Sequence, residues 1–244
     1  MDKFKTNLVG VMPAYNEEEN IQKTAVQWYK VLKKCDINAK LIVINDGSKD
    51  NTEKMLEEIH NQYPNIIPIT KENGGHGQAV LFGYEKALEY NPKWIFQTDS
   101  DGQTIPKEFM DFWYEKHKYD VLMGARVARK DGFSRFVVTK TLKMILLLIF
   151  GKLITDANVP FRLMKSSVLR ETLPLIPRDN NLPNILLSVA FLKKKYNVKF
   201  KAITFRERQG GVNSINIPKI VKIGFKAIKD FYKFKKNLKL ELNK

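Results

Sequence analysis

Apolar positions in the first hundred residues switch repeatedly between two periods. Leu8-Val9-Gly10-Val11-Met12 is a continuous apolar run, the pattern of a strand buried on both faces. Ile21, Ala25, Trp28 and Leu32 follow at helical spacing, and Asn16 with Glu19 three residues on has the spacing of a capping box. Leu41 to Ile44 predicts a second strand, and Met55, Leu56, Ile59 and Tyr63 a second helix. Ile66 to Ile69 predicts a third strand. A loop at Gly74-Gly75-His76-Gly77 then leads into a helix carrying Val80, Tyr84, Ala87 and Leu88. Trp94-Ile95-Phe96 predicts a fourth strand ending at Asp99. Strands alternating with helices at this pace indicate an α/β protein with a mostly parallel sheet flanked by helices.

The second half is less regular. Strands are expected at Tyr119 to Gly124, Phe161 to Met164 and Val198 to Phe205. Helices are expected at Phe133 to Ile154, Asn184 to Tyr196 and Ile217 to Phe234. The last is basic and amphipathic, with Ile220, Ile223, Ala227, Ile228 and Phe231 against Lys219, Lys222, Lys226, Lys229 and Lys233. No internal repeat or low-complexity linker interrupts the chain. The expectation is one domain over 1–244, with a first half to about residue 130 and a C-terminal helical elaboration.

Ligands of parallel sheets bind beyond the carboxyl ends of the strands. Three polar clusters fall there: Pro13-Ala14-Tyr15-Asn16-Glu17, Asp46-Gly47-Ser48 and Asp99-Ser100-Asp101. Corresponding ends of neighbouring strands can converge on one site. In extended backbone, residues two apart point to the same side, so Asp99 and Asp101 offer two hard oxygen donors. Mg²⁺ or Mn²⁺ takes one or two such carboxylates and completes its shell with phosphate oxygens and water. Gln103 lies close enough to assist. Asn73-Gly74-Gly75-His76-Gly77-Gln78 resembles a phosphate cradle leading into a helix N-terminus, although the glycines also suit a simple tight turn. No Gly-Lys-Ser/Thr follows, so it is not a Walker loop, and His76 has no second His or Cys at ligand spacing.

Composition adds one unusual feature. The 244 residues are 43% hydrophobic and 28% charged, ordinary for a globular protein, but the net charge is +16. Residues 193–244 hold 16 Lys or Arg against the acids Glu207, Asp230 and Glu241, a surplus of 13. Such a face attracts phosphate, whether of an anionic lipid, a phosphorylated substrate or a nucleic acid, and it also suits a plain solvated helix. The single cysteine, Cys35, excludes a disulfide framework. Met1-Asp2-Lys3-Phe4-Lys5 does not have the form of a signal peptide. The longest apolar run, Met144 to Phe150, falls short of the roughly 20 residues that span a membrane.

Taken together, these motifs resemble the family 2 glycosyltransferases, which share the GT-A fold. The resemblance rests on Met12 to Glu17, Asp46-Gly47-Ser48-Lys49-Asp50-Asn51-Thr52, the Gly74 to Ala79 loop and Asp99-Ser100-Asp101-Gly102-Gln103, four motifs in the family's order over residues 6–130. Asp156-Ala157-Asn158-Val159-Pro160-Phe161-Arg162-Leu163 and Arg208-Gln209-Gly210-Gly211-Val212-Asn213-Ser214 are similar to the dolichyl-phosphate mannose synthase branch and its bacterial polyprenyl-phosphate relatives.

The resemblance implies a nucleotide-sugar donor. Pro13, Ala14, Tyr15, Glu17 and Asp46 would hold base and ribose. Asp99, Ser100, Asp101 and Gln103 would hold metal and diphosphate, with Gly77 and Gln78 beside them. Arg126, Arg129, Arg162, Asn213 and Ser214 would contact substrate, and Arg208 would act with Asp99 and Asp101 in catalysis. Inverting members that use a hydroxyl acceptor carry a Glu-Asp pair whose aspartate is the base. The comparable stretch here is Arg178-Asp179-Asn180-Asn181-Leu182-Pro183-Asn184, without that pair. A lipid phosphate is already an anion and needs no base, so the acceptor expected is a polyprenyl phosphate. A sugar hydroxyl, with Asp179 or Asp156 as base, stays open. The basic helix and the 133–154 segment would lie on an anionic membrane, making a cytoplasmic, peripheral enzyme. A sugar-phosphate nucleotidyltransferase would need a Gly- and Lys-rich signature where Pro13 to Glu17 stands. Nucleic acid is not an expected partner, because three acidic clusters at strand ends would repel it.

Overall fold

The computed structural model describes residues 6–127, 133–207 and 217–242, with side chains described except at 127, 133–138, 217–226 and 242. The expected alternation is present in β1 (Leu8–Ala14), α1 (Ile21–Cys35), β2 (Lys40–Asn45), α2 (Thr52–Gln62), β3 (Ile66–Thr70), α3 (His76–Glu89) and β4 (Trp94–Thr98). The second half adds α4 (Phe109–Glu115), β5 (Val121–Val127), α5 (Phe133–Phe150), β6 (Phe161–Lys165), α6 (Ser166–Thr172), α7 (Pro183–Lys193), β7 (Val198–Thr204) and α8 (Ile217–Leu242).

Seven strands form one sheet in the order β3-β2-β1-β4-β6-β5-β7. β1, β2, β3 and β4 are mutually parallel, and β5 and β7 are parallel to each other. β6 runs antiparallel between β4 and β5. Both halves of the chain therefore share one mostly parallel sheet flanked by helices. Every residue of β1 and β4 is buried, as expected for central strands. Beside β4, Phe96 packs against Trp28, Phe109 and Phe161 at ring centroid distances of 5.0, 4.5 and 5.0 Å.

Several boundaries differ from expectation, each for a local reason. α1 starts at Ile21 with Asn20 at its N-cap, so Asn16 and Glu19 form no capping box. Asn16 instead adopts φ +51°, in the left-handed region that Asn tolerates. α5 stops at Phe150 because Gly151 turns at φ +64° and returns its N–H to the Leu147 carbonyl at 2.7 Å. α7 ends at Lys193, ahead of the left-handed Lys195. α8 is longer than expected. From Phe231 onward its apolar side is packed inward: Phe231, Phe234 and Leu238 are buried, and Phe150 of α5 contacts both phenylalanines. That part of the apolar face is unavailable to a membrane. The side chains of Lys219, Ile220, Lys222, Ile223 and Lys226 lie outside those described.

Candidate active site

A cleft of ≈ 710 Å³ opens at the carboxyl ends of β1, β2 and β4. Pro13, Ala14, Tyr15, Glu17, Asp46, Asp99, Ser100 and Asp101 line it, so the three clusters do converge. The convergence follows from strand order, since β2 and β4 flank β1 in register.

The loop after β1 is stapled to the loop after β2 by side chain–backbone hydrogen bonds. The Asn16 N–H donates to Ser48 Oγ at 3.0 Å, and the Lys49 N–H donates to Asn16 Oδ1 at 2.8 Å. The Glu17 N–H donates to Thr52 Oγ1 at 2.9 Å and the Glu18 N–H to Asp50 Oδ2 at 3.1 Å. Glu18 Oε2 accepts from both the N–H and the side-chain amide of Asn51. The polar residues of the 46–52 motif thus hold the cleft wall in place. Tyr15, 43% exposed, stands at the edge of the cleft as an accessible aromatic face.

Asp46 is buried and organises the next loop. Its Oδ1 accepts from Lys71 Nζ at 2.7 Å and the Gly74 N–H at 3.0 Å, and its Oδ2 accepts from the Gly75 N–H at 2.7 Å. Its carbonyl accepts from the Asn73 amide at 2.8 Å. Gly75, at φ +86°, then starts α3. No sequence signal marked Lys71 as a partner of Asp46; the contact depends on β2 and β3 being neighbours.

Asp99 Oδ1 is buried and accepts no hydrogen bond. His76 Nε2 stands 3.9 Å from it. Burial pushes the Asp99 carboxyl up to about 6; His76 opposes that shift and the neighbouring Asp101 adds to it. Asp101 Oδ1 accepts from the Gln103 N–H at 3.1 Å. A buried oxygen without a donor, beside a second carboxylate, fits a hard divalent cation. Among the described residues no cluster of three or more His, Cys, Asp or Glu forms a closed cage, so any ion would take the rest of its shell from substrate and water. Gln103, expected as a ligand, is not part of the cleft lining. Its amide nitrogen donates to the Arg206 carbonyl at 2.9 Å, while the Arg206 N–H donates to the Gln103 carbonyl at 2.8 Å. It ties the Asp99–Asp101 loop to the end of β7, from which residues 208–214 continue.

Other expected substrate contacts have structural partners instead. Arg162 is fully buried, and its guanidinium donates to the carbonyls of Val159, Asn184 and Ala157 at 2.8, 2.8 and 2.6 Å. It holds the 157–159 loop and the start of α7 and is not part of this cleft's lining. Arg126 pairs with Asp156 and borders a separate cavity of ≈ 230 Å³ beneath α5. Asp156, a candidate base, has both oxygens on Arg126. Asp179, the other candidate, is exposed and outside the cleft. Gly77 is buried under the 177–182 loop, where a Cβ would collide with the Asn180 carbonyl. Gln78 folds back toward Gly74, whose Cβ position its amide oxygen would overlap. Arg129, Arg208, Asn213 and Ser214 lie outside the described residues. Glu18, Lys49 and Asp50 join the lining without having been named as site residues, while Asn16 and the 73–76 loop belong to clusters already expected near the strand ends; position in the motif was the available signal.

The comparisons with known proteins bear on the family and the fold. An undecaprenyl-phosphate 4-deoxy-4-formamido-L-arabinose transferase of Proteus mirabilis (strain HI4320) is 26% identical over 223 residues, covering 90% of this chain and 66% of the relative. The chain thus spans just under two thirds of that relative's length. An uncharacterised protein of Methanocaldococcus jannaschii is 27% identical over 233 residues, covering 91% of this chain and 98% of the relative. The crystal structure of glucosyl-3-phosphoglycerate synthase from Mycobacterium tuberculosis, in complex with Mn²⁺, UDP and glucosyl-3-phosphoglycerate, superposes with a TM-score of 0.70 at 15% identity, covering 94% of this chain and 80% of that one. At that identity the likeness speaks for the GT-A fold. Residues 11–173 match the model of Glycosyl transferase family 2, and they carry the end of β1 and all of β2 to β6, with all three clusters of the cleft. With two thirds of its length inside that match, and the cleft at its centre, the chain belongs to the family 2 glycosyltransferases.

Proposed function

We propose that this chain transfers a sugar from a nucleotide sugar to a polyprenyl-phosphate-type lipid, in a single inverting displacement that depends on Mg²⁺ or Mn²⁺. The observation that carries the donor side is the cleft itself. Among the described residues, seven carboxylates line it in a chain of net charge +16, and Asp99 presents a buried oxygen with no donor. An acidic cleft repels a bare diphosphate, and a divalent ion reverses that. When bound, the ion offsets the charge growing on the departing diphosphate. Asp99 and Asp101 would hold it, Tyr15 would cover the base, and the stapled 15–20 loop would exclude water from one wall. Arg208, Asn213 and Ser214, which lie outside the described residues, would meet phosphate.

The phosphate acceptor is supported from two directions. The relatives named above include an undecaprenyl-phosphate transferase. The two carboxylates considered as base are paired with Arg126 or outside the cleft. A phosphate acceptor attacks as an anion and dispenses with a base. The reading includes one transferase domain whose first half binds donor and second half binds acceptor. It also includes a peripheral position on the cytoplasmic face of an anionic membrane. No helix among the described residues is long and apolar enough to cross one. Met144, Leu147 and Leu148 share one face of α5, with Leu153 just beyond it. They are 58, 45, 75 and 72% exposed, beside Lys140, Lys143 and Lys152. Apolar side chains ringed by lysine suit a lipid headgroup boundary.

The test incubates the protein with Mn²⁺, labelled nucleotide sugars and polyprenyl phosphate, and follows label into the organic phase. Metal-dependent transfer is expected, and Asp99→Asn should reduce it at least a hundredfold. Label appearing only on hydroxyl acceptors would overturn the phosphate assignment. Transfer undiminished by chelator would overturn the metal.

A further inference from the structure

We infer that His76 is a diphosphate-binding residue of the donor site, an assignment that rests on the nucleotide-sugar reading above. Among the described residues that line the cleft, seven carboxylates stand against two side chains that can carry positive charge, Lys49 and His76. Lys49 lies on the loop after β2, where its N–H is bound by Asn16. His76 stands at the other end, with Nε2 3.9 Å from Asp99 Oδ1. Asp99 and Asp101 would hold the ion, and the imidazole beside Asp99 would then be near enough to donate to a phosphate oxygen that the ion draws in.

The side chain is placed rather than incidental. Asp46 fixes the Gly75 amide at 2.7 Å, and Gly75 turns at φ +86° directly before His76. The imidazole is 54% exposed, so a ligand can reach it. An imidazole N–H donates to a phosphate oxygen in either protonation state, so no change of charge is required. As the sugar–phosphate bond breaks, the electron pair stays on the diphosphate oxygen. A donor at His76 would stabilise that oxygen together with the ion held by Asp99 and Asp101.

The assignment separates nucleoside diphosphates from monophosphates. Calorimetric titration of UDP and GDP, and of UMP and GMP, is made with Mn²⁺ on wild type, His76→Ala and His76→Gln. His76→Ala is expected to weaken the bound diphosphate about tenfold and leave the monophosphate within about twofold. His76→Gln, which keeps a donor, is expected to recover part of the loss. Thermal melts confirm that the variants fold. Equal loss for mono- and diphosphate, or no loss, would overturn the assignment while the donor reading stands. Wild type that binds neither diphosphate would overturn the donor reading, and this assignment with it.

Discussion

Arg126 and Asp156 form a two-pronged ion pair, with Nε 2.7 Å from Oδ2 and Nη2 2.6 Å from Oδ1. The Arg126 N–H also donates to Oδ2 at 3.3 Å, so the end of β5 is clamped to the loop before β6. Both side chains are largely buried, and Arg126 lies 5.1 Å over the Phe205 ring. Arg126→Met or Asp156→Asn alone should lower unfolding free energy by about 2 kcal/mol, because each strands its partner. The double variant should lose less than the sum of the two. Urea denaturation of the four proteins measures this; strict additivity would show that the pair is not coupled.

Gly77 gives a test of packing against the idea of a phosphate cradle. Gly77→Ala places a methyl against the Asn180 carbonyl and should cost about 1–3 kcal/mol as the 177–182 loop is forced off α3. Chemical denaturation reads the loss. A variant as stable as wild type would mean that the loop does not rest on this position.

Asp120 supplies a pH dependence of known sign. Its Oδ1 accepts from Lys165 Nζ at 2.8 Å and its Oδ2 from the Asn197 N–H at 2.9 Å. The hydrogen bond from Lys165 is the main reason its carboxyl titrates below the ordinary range. A depressed folded value stabilises above the unfolded value of about 3.9 and is lost as pH falls through the folded one. Asp120→Asn should therefore lower Tm at pH 7, by the equivalent of about 1 kcal/mol for so accessible a pair. The gap to wild type should close below about pH 4. A gap that widens on acidification would contradict the assigned sign.

Leu148 is 75% exposed on α5, so Leu148→Glu should change stability by less than about 0.5 kcal/mol. The same change should markedly reduce co-flotation with vesicles containing anionic lipid if this face meets the membrane. Undiminished flotation would move the contact elsewhere on the chain.

The first half is readable because its signals are local. A continuous apolar run such as Leu8 to Met12 and a helical stripe such as Ile21 to Leu32 report on their own segments. The polar residues that follow each strand necessarily lie at its end. The sequence alone therefore puts Asp99 and Asp101 at a strand end that can converge with those of Asp46 and Glu17. The short helices α4 and α6 are not legible in the sequence, because seven residues carry too little periodicity to separate from loop.

Other features depend on chain segments far apart in sequence. Arg126 meets Asp156 thirty positions later, Gln103 reaches Arg206, and Gly77 passes beneath Asn180. None of these partners is legible from either residue alone. Arg162 is the clearest case, since an arginine in a family-like motif suggests a substrate contact. Its direction was set by β6 entering the sheet antiparallel between β4 and β5, with Arg162 opposite Gln97 and Met123. A sequence by itself determined which strands and clusters exist and that Asp99-Ser100-Asp101 ends a buried strand. Only the tertiary structure decided which side chains face the cleft. Strand order and register, which rest on contacts between distant segments, determine whether a polar group meets water, ligand or a backbone carbonyl.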